Sequence, residues 1–293
     1  MRFLIFLLLL PVVMFGQSEA LVTPYPMSES SLLWKIEGKD LNKPSYIFGT
    51  MHLIEKEYFF FPEKLKKHVE KSEQLIMELP GIPDQKEALK YIQLKEGTFY
   101  DFFTKEQADS IMKWAYTELH MNDAQFRGVM TKMKPFVAVQ LATQLHFFGK
   151  TESYELTLET LAKEKQLPVK GLESIEEQMS LFDDMSTSEQ SEMVMEIVRK
   201  PKEQFDETKT MEQLYVRQNV DSLYQFIVHS EGTIASENTR FIDNRNQNWI
   251  PKIEEMIHEK RSFIAVGAGH LGGPNGVIRL LQKKGYQLTP VKL

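Results

Sequence analysis

Two histidines near opposite ends of the chain follow the same short pattern. Gly49 precedes His52, and Gly267 precedes His270, so each end carries Gly-x-x-His. A β-prone run lies before each glycine, which predicts a strand followed by a sharp turn. Glycine permits that turn with little steric cost and brings the imidazole over the carboxyl edge of the sheet. The repetition predicts that both imidazoles belong to one reactive centre.

Two glutamates end or follow other apolar runs. Glu78 ends the run at 74–77, and Glu173 follows the run at 167–172. If the four strands are parallel, two imidazoles and two carboxylates emerge at one edge, where open α/β sheets bind ligands. The alternative is that each glutamate is a helix cap or a solvated strand end, and that each histidine is a core or surface residue.

This combination of side chains suits a divalent metal ion. Imidazole nitrogens and carboxylate oxygens are ligands for Zn²⁺, Mn²⁺ or Co²⁺, and the ion can activate a bound water. We predict that His52, Glu78 and His270 hold the metal. Glu173 is predicted to be a further ligand or the general base.

A cation is predicted to approach the same centre from a helix at 237–258. Arg245 lies on the apolar stripe of this helix, three residues after Ile242 and four before Trp249. A buried guanidinium needs a carboxylate or an anionic substrate as its partner. We predict that Arg245 is catalytic and binds substrate with Asn246, the alternative being a structural ion pair with Glu173 or another acid.

The elements that must position these residues form a βα unit at each end of the chain. The sequence predicts a mixed α/β (α+β-like) fold, with a small, mostly parallel sheet built from N- and C-terminal βαβ units and a large helical insertion. The insertion is predicted at about 82–165 and 175–258. The predicted helices within it are 135–148, 154–166, 187–199, 209–228 and 237–258, with Pro251 as a kink or a new helix start.

The amino terminus carries a predicted export signal. Arg2 precedes a thirteen-residue apolar run at 3–15, which is too short to span a bilayer and matches a secretory signal peptide. We predict that residues 1–20 are this signal, with cleavage after residue 16 or 20, and that 21–293 form one periplasmic or extracellular domain without a membrane span. An uncleaved anchor or a buried terminal helix is the alternative.

Composition excludes several classes of protein. The 293 residues contain no Cys, so neither disulfides nor a lipid-modified cysteine is possible. The net charge of −6 and scattered Lys and Arg residues argue against a nucleic-acid partner. The predicted partner is a peptide or small-molecule substrate, and the sequence does not indicate the oligomeric state.

The ordered set of motifs resembles the TraB/GumN family over about residues 34–291. The resemblance is carried by Gly-Thr-x-His at 49–52, the strand ending in Glu78, the segment 169–173 with Gln178 after it, the Arg245–Asn246 pair and the late Gly-x-Gly-His. Relatives of the family include the Tiki metalloproteases and, more remotely, erythromycin esterases and ChaN haem-binding lipoproteins.

This resemblance implies an α/β core whose rim of His, Glu and Arg residues is the active site. In the Tiki branch the site is associated with peptide cleavage that uses Mn²⁺ or Co²⁺. The implied site residues are His52, Glu78, Glu173, Arg245 and His270. One departure is visible, because many relatives carry an Asp before the helix at 154–166 where this chain has Glu155 as its nearest acid, and Glu155 is not included in the predicted site.

The sequence therefore predicts an exported metal-dependent hydrolase that cleaves a peptide or amide bond. Two alternatives remain open at this point. One is a non-catalytic protein that binds a peptide or a haem-like ligand through Arg245 and one histidine. The other is a metal-independent, esterase-like hydrolase in which His52 or His270 activates water.

Overall fold

A computed structural model describes residues 30–293 except 82, 84 and 230–238. The strands in these residues are β1 (Leu33–Glu37), β2 (Ser45–Thr50), β3 (Ile54–Glu55), β4 (Gln74–Met77), β5 (Thr151–Glu152), β6 (Val169–Gly171), β7 (Ser262–Gly267) and β8 (Gln287–Val291). The α-helices are α1 (Glu63–Glu70), α2 (Gln85–Ile92), α3 (Lys105–Glu118), α4 (Asp123–Met130), α5 (Phe136–His146), α6 (Tyr154–Glu164), α7 (Ile175–Asp183), α8 (Thr187–Arg199), α9 (Glu203–Val216), α10 (Val220–His229), α11 (Arg245–Glu259) and α12 (Val277–Lys283). The predicted signal peptide at 1–20 lies outside the described residues.

A six-stranded sheet forms the centre of the fold, in the order β6-β4-β7-β2-β1-β8. Strands β6, β4, β7 and β2 are parallel to their neighbours, and β1 is antiparallel to both β2 and β8. Thr50 pairs with Gly267, while Met77 pairs with both Ala265 and Gly171. The predicted mixed fold with a mostly parallel sheet is confirmed, and the carboxyl ends of four strands lie at one edge.

The central strands are buried because helices pack on the sheet. Every residue of β2 and β4 is buried. A strand with one solvent-exposed face would instead alternate buried and exposed residues. Their core includes Leu65 of α1, Tyr154 of α6 and Trp249 of α11. The edge of this covered sheet is therefore the place where polar side chains can gather.

The helical insertion contributes in two ways. Helices α2–α5, α7 and α8 form a second hydrophobic cluster, within which Phe136 and Phe182 stack with ring centroids 4.4 Å apart. Helices α6, α9, α10 and α11 instead add buried residues to the core around the sheet. The insertion thus supplies the helices that face the polar edge. None of the helices in the described part of the chain is long and apolar enough to span a membrane.

Several helix boundaries follow from local capping chemistry. Helices α3, α4, α7 and α8 begin with capping boxes at Thr104, Asn122, Ser174 and Ser186, each followed three residues later by Gln or Glu. These reciprocal bonds satisfy backbone N–H groups that have no partner within the helix. Of these four helices, only α8 was predicted from apolar spacing.

The structure corrects one sequence prediction about helices. The single helix predicted at 209–228 is wrong, because the chain leaves α9 at Arg217 and re-enters a helix at Val220. Gln218 between them has a φ of 56°, which a helix interior does not permit. In contrast, the helix predicted at 237–258 is present as α11, which follows a π-helical turn at Thr239–Asn244, and Pro251 lies within α11 and does not start a new helix. Residues 237–238 of that prediction lie outside the described residues.

Gly49 is required by a close approach between β2 and the turn after β7. A Cβ at Gly49 would lie 3.0 Å from Ala268 Cα and 2.9 Å from Leu271 Cδ1. The backbone atom cannot move without shifting the turn that carries His270. Glycine at this position therefore lets the two Gly-x-x-His segments pack against each other.

We expect Gly49→Ala to lower the free energy of unfolding by about 1–3 kcal/mol, because the added methyl overpacks this contact. Gly128→Ala is the matched control, since Gly128 lies in exposed α4 and its Cβ would meet nothing within 4 Å. It should raise the free energy by about 0.5–1 kcal/mol, through helix propensity. Urea unfolding of both variants measures the difference. A free energy of unfolding for Gly49→Ala equal to that of wild type would contradict the close approach.

Candidate active site

The sheet edge brings the predicted histidines and glutamates together. His52 lies two residues after β2, Glu78 directly after β4 and Glu173 two residues after β6. His270 closes the 3₁₀ turn Ala268–His270 that follows β7. All four come from parallel strands whose carboxyl ends are adjacent.

Arg245, the first residue of α11, joins this edge through all five of its N–H groups. Its Nη2 lies 2.6 Å from Glu78 Oε2 and 2.5 Å from Glu173 Oε1. The Nε donates to Glu173 Oε2 at 3.2 Å, and Nη1 contacts Phe241 O at 3.1 Å and His270 Nε2 at 3.2 Å. The guanidinium also lies 4.8 Å from the centre of the Trp249 ring. These contacts are the ion pair with Glu173 and another acid that was the alternative for Arg245, and its catalytic and substrate-binding roles stay predictions.

Glu173 is occupied by hydrogen bonds. Its Oε1 accepts from Arg245 and from Gln178 Nε2 at 3.0 Å, and its Oε2 accepts from Arg245 and from Trp249 Nε1 at 3.1 Å. A carboxylate has about four lone-pair directions, so these donors use them. Glu173 therefore anchors the guanidinium, and its contacts do not suit the predicted role of metal ligand or general base.

Glu155, which the predicted site does not include, is the partner of His52. The His52 Nδ1 lies 3.0 Å from Glu155 Oε1 in a buried ion-pair contact that is not aligned as a hydrogen bond. Thr50 donates to the same oxygen at 2.6 Å, and Ser153 donates to Glu155 Oε2 at 3.1 Å. The available signal was the position of Glu155, the acid nearest to the Asp of many relatives.

Asn246 orients the second imidazole. Its Nδ2 donates to the carbonyls of His270 at 3.3 Å and Asn275 at 2.9 Å, so its Oδ1 faces His270 Nδ1 at 2.7 Å. This network assigns the ring proton to Nδ1 and leaves the Nε2 lone pair facing Arg245. The Asn246 amide is fully buried and engaged, so it supports His270, and its predicted contact with substrate stays a prediction.

The two imidazoles differ in basicity. Burial alone would lower the pKa of His52, but the Glu155 carboxylate outweighs burial and raises that pKa above its ordinary value. Burial and the neighbouring Arg245 charge together lower the pKa of His270 to about 3. His52 therefore holds a proton more readily than an ordinary imidazole, whereas His270 stays neutral.

Glu78, the carboxylate near both imidazoles, is ionised. Burial would raise the pKa of Glu78, but Arg245 and the two imidazoles lower it to about 2. Its Oε1 accepts the backbone N–H of Gly267 at 2.8 Å. Glu78 therefore fixes the end of β7 as well as the guanidinium.

The predicted metal ligands surround Gly267. A Cβ on this glycine would lie 3.4 Å from Glu78 Oε1, 3.5 Å from His270 Cδ2 and 3.8 Å from His52 Nε2. The donor types suit a divalent ion, but their arrangement does not. Glu78 Oε1 is 4.0 Å from His270 Nε2, and no group of three His, Cys, Asp or Glu side chains in the described residues is placed to hold a metal. The metal site stays a prediction.

Comparison with known protein families gives a match. The model of the TraB/PrgY/gumN family matches residues 32–290. The chain belongs to the TraB/PrgY/gumN family. No curated protein and no solved structure shows significant similarity to it. The matched range contains every residue of the site in this TraB-family protein, including Glu155.

We expect the two histidines to affect the pH dependence of stability in opposite directions. His270 has a depressed pKa, so its unfolded form takes up a proton below about pH 6.5 and stability falls towards about pH 3. His52 has a raised pKa, so its contribution is present below pH 6.5 and is lost as pH rises through the folded pKa.

Urea unfolding of wild type, His52→Gln and His270→Gln from acid to alkaline pH measures these contributions. The stability advantage of wild type over His270→Gln should shrink as pH falls below about 6.5, by a few kcal/mol in total. Its advantage over His52→Gln should shrink as pH rises above that value. Parallel curves for the two variants would contradict the assigned environments.

Proposed function

We propose that this TraB-family protein is a hydrolase that cleaves a peptide or amide bond, with His52 as its general base. The observation that carries the proposal is the contact between His52 and buried Glu155, 3.0 Å apart, at an edge that also holds a fixed guanidinium. A general base works best when its pKa is near the operating pH. The depressed pKa of His270 makes it a poor base, whereas Glu155 raises the pKa of His52 and so strengthens it as a base.

In this reaction His52 Nε2 accepts a proton as the water oxygen attacks the carbonyl carbon. The C–N bond then breaks, and His52 returns the proton to the leaving nitrogen. Glu155 stabilises the imidazolium while it holds this proton. The positive charge of Arg245 lies at the same edge and stabilises the negative charge that develops on the carbonyl oxygen.

Gln178 favours an amide over an ester. Its Nε2 donates to Glu173 at 3.0 Å and approaches Glu78 at 3.4 Å, which fixes the orientation of the side-chain amide. Its Oε1 is buried without a hydrogen-bond partner in the described residues. A peptide offers an N–H to such an acceptor and an ester does not.

A metal-dependent form of this hydrolysis is the second candidate, with Mn²⁺, Co²⁺ or Zn²⁺. It is favoured by an excess of negative charge, because the buried carboxylates of Glu78 and Glu173 both contact one buried guanidinium. A divalent ion would balance this charge and would polarise the carbonyl group when bound. The contacts of Arg245 with Glu78 and His270 oppose it, since the guanidinium already uses the lone pairs that such an ion needs.

Export is part of the proposal and rests on the apolar run at 3–15. A substrate outside the cytoplasm would then be a peptide or a small amide. Binding without turnover, of a peptide or a haem-like ligand, is the outcome that the assays below would reveal.

We expect His52→Gln to lower kcat for a cleaved peptide by about 10²–10⁴-fold, because the base is lost. Glu155→Gln should lower kcat less and shift the pH profile to lower pH, because the imidazole loses the charge that raises its pKa. The measurement is cleavage of a mixed-peptide panel, with matched aryl esters in parallel.

The matched control is His68→Gln. His68 lies in α1 and packs on Tyr46, near the start of β2 and away from the carboxyl edge, with ring centroids 4.1 Å apart. It should keep wild-type turnover. Equal turnover in His52→Gln and wild type would rule out His52 as the general base. Ligand binding without any His52-dependent cleavage would favour a binding protein.

Removal of metal separates the two candidate forms of the hydrolase. Because Arg245 already supplies positive charge at Glu78, we expect turnover to survive dialysis against a strong chelator. The metal content of the gently purified protein is measured before and after the dialysis. Turnover that disappears with the chelator and returns with Mn²⁺, Co²⁺ or Zn²⁺ would instead establish the metal-dependent form.

A further inference from the structure

Helix α9 contacts both ends of the segment that carries His52. Tyr215 donates a buried hydrogen bond from its hydroxyl to Gly49 O at 2.8 Å. Glu212 Oε1 accepts the backbone N–H of Glu55 at 2.6 Å. The two side chains are three residues apart and so share one face of the helix. His52 lies between the two fixed points.

The Glu212 carboxyl is placed where an acid is unfavourable. The residue is fully buried, and its Oε2 has no hydrogen-bond partner within the described part of the chain. Burial, together with the charges of Glu55 and Glu57, raises its pKa to about 7, although the hydrogen bond from the Glu55 N–H and the charge of Lys209 oppose this. Packing alone would favour an apolar side chain here. The feature that an apolar side chain cannot replace is the hydrogen bond to Glu55.

The segment held by α9 is also tied to Glu155. Strand β3, which contains Glu55, pairs with β5 through Glu55 and Thr151. Strand β5 leads directly into Ser153 and Glu155 at the start of α6. The two halves of the His52–Glu155 pair are therefore carried by two short strands that are joined to each other and anchored to α9.

We propose that Glu212 and Tyr215 are positioning residues that hold His52 against Glu155. Their hydrogen bonds go to the backbone of residues 49–55, and they act on His52 through it. The inference rests on the proposed function where it concerns turnover, but the environment of the His52 ring can be measured without any substrate. Small displacements of a catalytic group reduce turnover strongly, so positioning residues of this kind increase turnover.

The test compares three substitutions in the full chain by NMR titration of the ¹⁵N-labelled imidazoles. Glu212→Leu removes the acceptor of the Glu55 N–H, and Tyr215→Phe removes the donor to Gly49 O. In both, the pKa of His52 should fall towards its ordinary value of 6.5. Glu212→Gln retains an acceptor oxygen and should keep the His52 titration of wild type.

Turnover of the cleaved peptide gives the second readout. We expect kcat to fall by about tenfold or more in Glu212→Leu and Tyr215→Phe with little change in KM, and to be restored in Glu212→Gln. Tyr286→Phe is the matched control for the lost hydroxyl. Tyr286 is also buried, and its hydroxyl bonds Glu254 of α11 at 3.3 Å.

A purely structural role would give a different pattern. The stability of Glu212→Leu would then fall while its His52 titration and kcat matched those of Glu212→Gln, and this result would overturn the proposal. If Glu212→Leu does not fold, Tyr215→Phe against Tyr286→Phe decides the question. If wild type cleaves nothing, the titration still tests the positioning, so a failure of the proposed function is recognised separately.

Discussion

The site depends on burying one guanidinium with the acceptors for all of its N–H groups. Charges removed from water are costly, and they persist only with close partners of opposite charge. Arg245 meets this condition with Glu78, Glu173, the Phe241 carbonyl and His270 Nε2. The same contacts join the start of α11 to the ends of β4, β6 and β7. The guanidinium therefore determines where the edge of the sheet meets the helical insertion.

This arrangement also makes two similar motifs chemically different. Each histidine is the last residue of a Gly-x-x-His motif at the end of a parallel strand. Glu155 nevertheless faces His52, while Arg245 and Asn246 face His270. A neighbouring anion favours the protonated imidazole, and a neighbouring cation disfavours it. Separate acid–base roles within one site commonly arise from environments that push pKa values apart.

The sheet and the helical insertion contribute different residues to the site. The sheet brings four polar side chains to one edge, and it does so with buried strands that leave little freedom of register. The insertion supplies Arg245 from α11, Glu155 from α6 and the contacts of α9 with residues 49–55. The residues that set charge and orientation thus come mainly from the helices.

The sequence by itself determined the local patterns: parallel strands that end in His or Glu, the face of α11 that carries Arg245, and the mixed α/β fold. These depend on spacing within a few residues, which strand and helix periodicity translate directly into position. Only the tertiary structure decided that Glu155 pairs with His52, that Asn246 serves His270, that Trp249 supports Glu173 and that Glu212 anchors Glu55. Each of these contacts except the His270–Asn246 pair joins residues more than seventy positions apart, and all of them arise from packing between elements, for which one sequence carries no local signal.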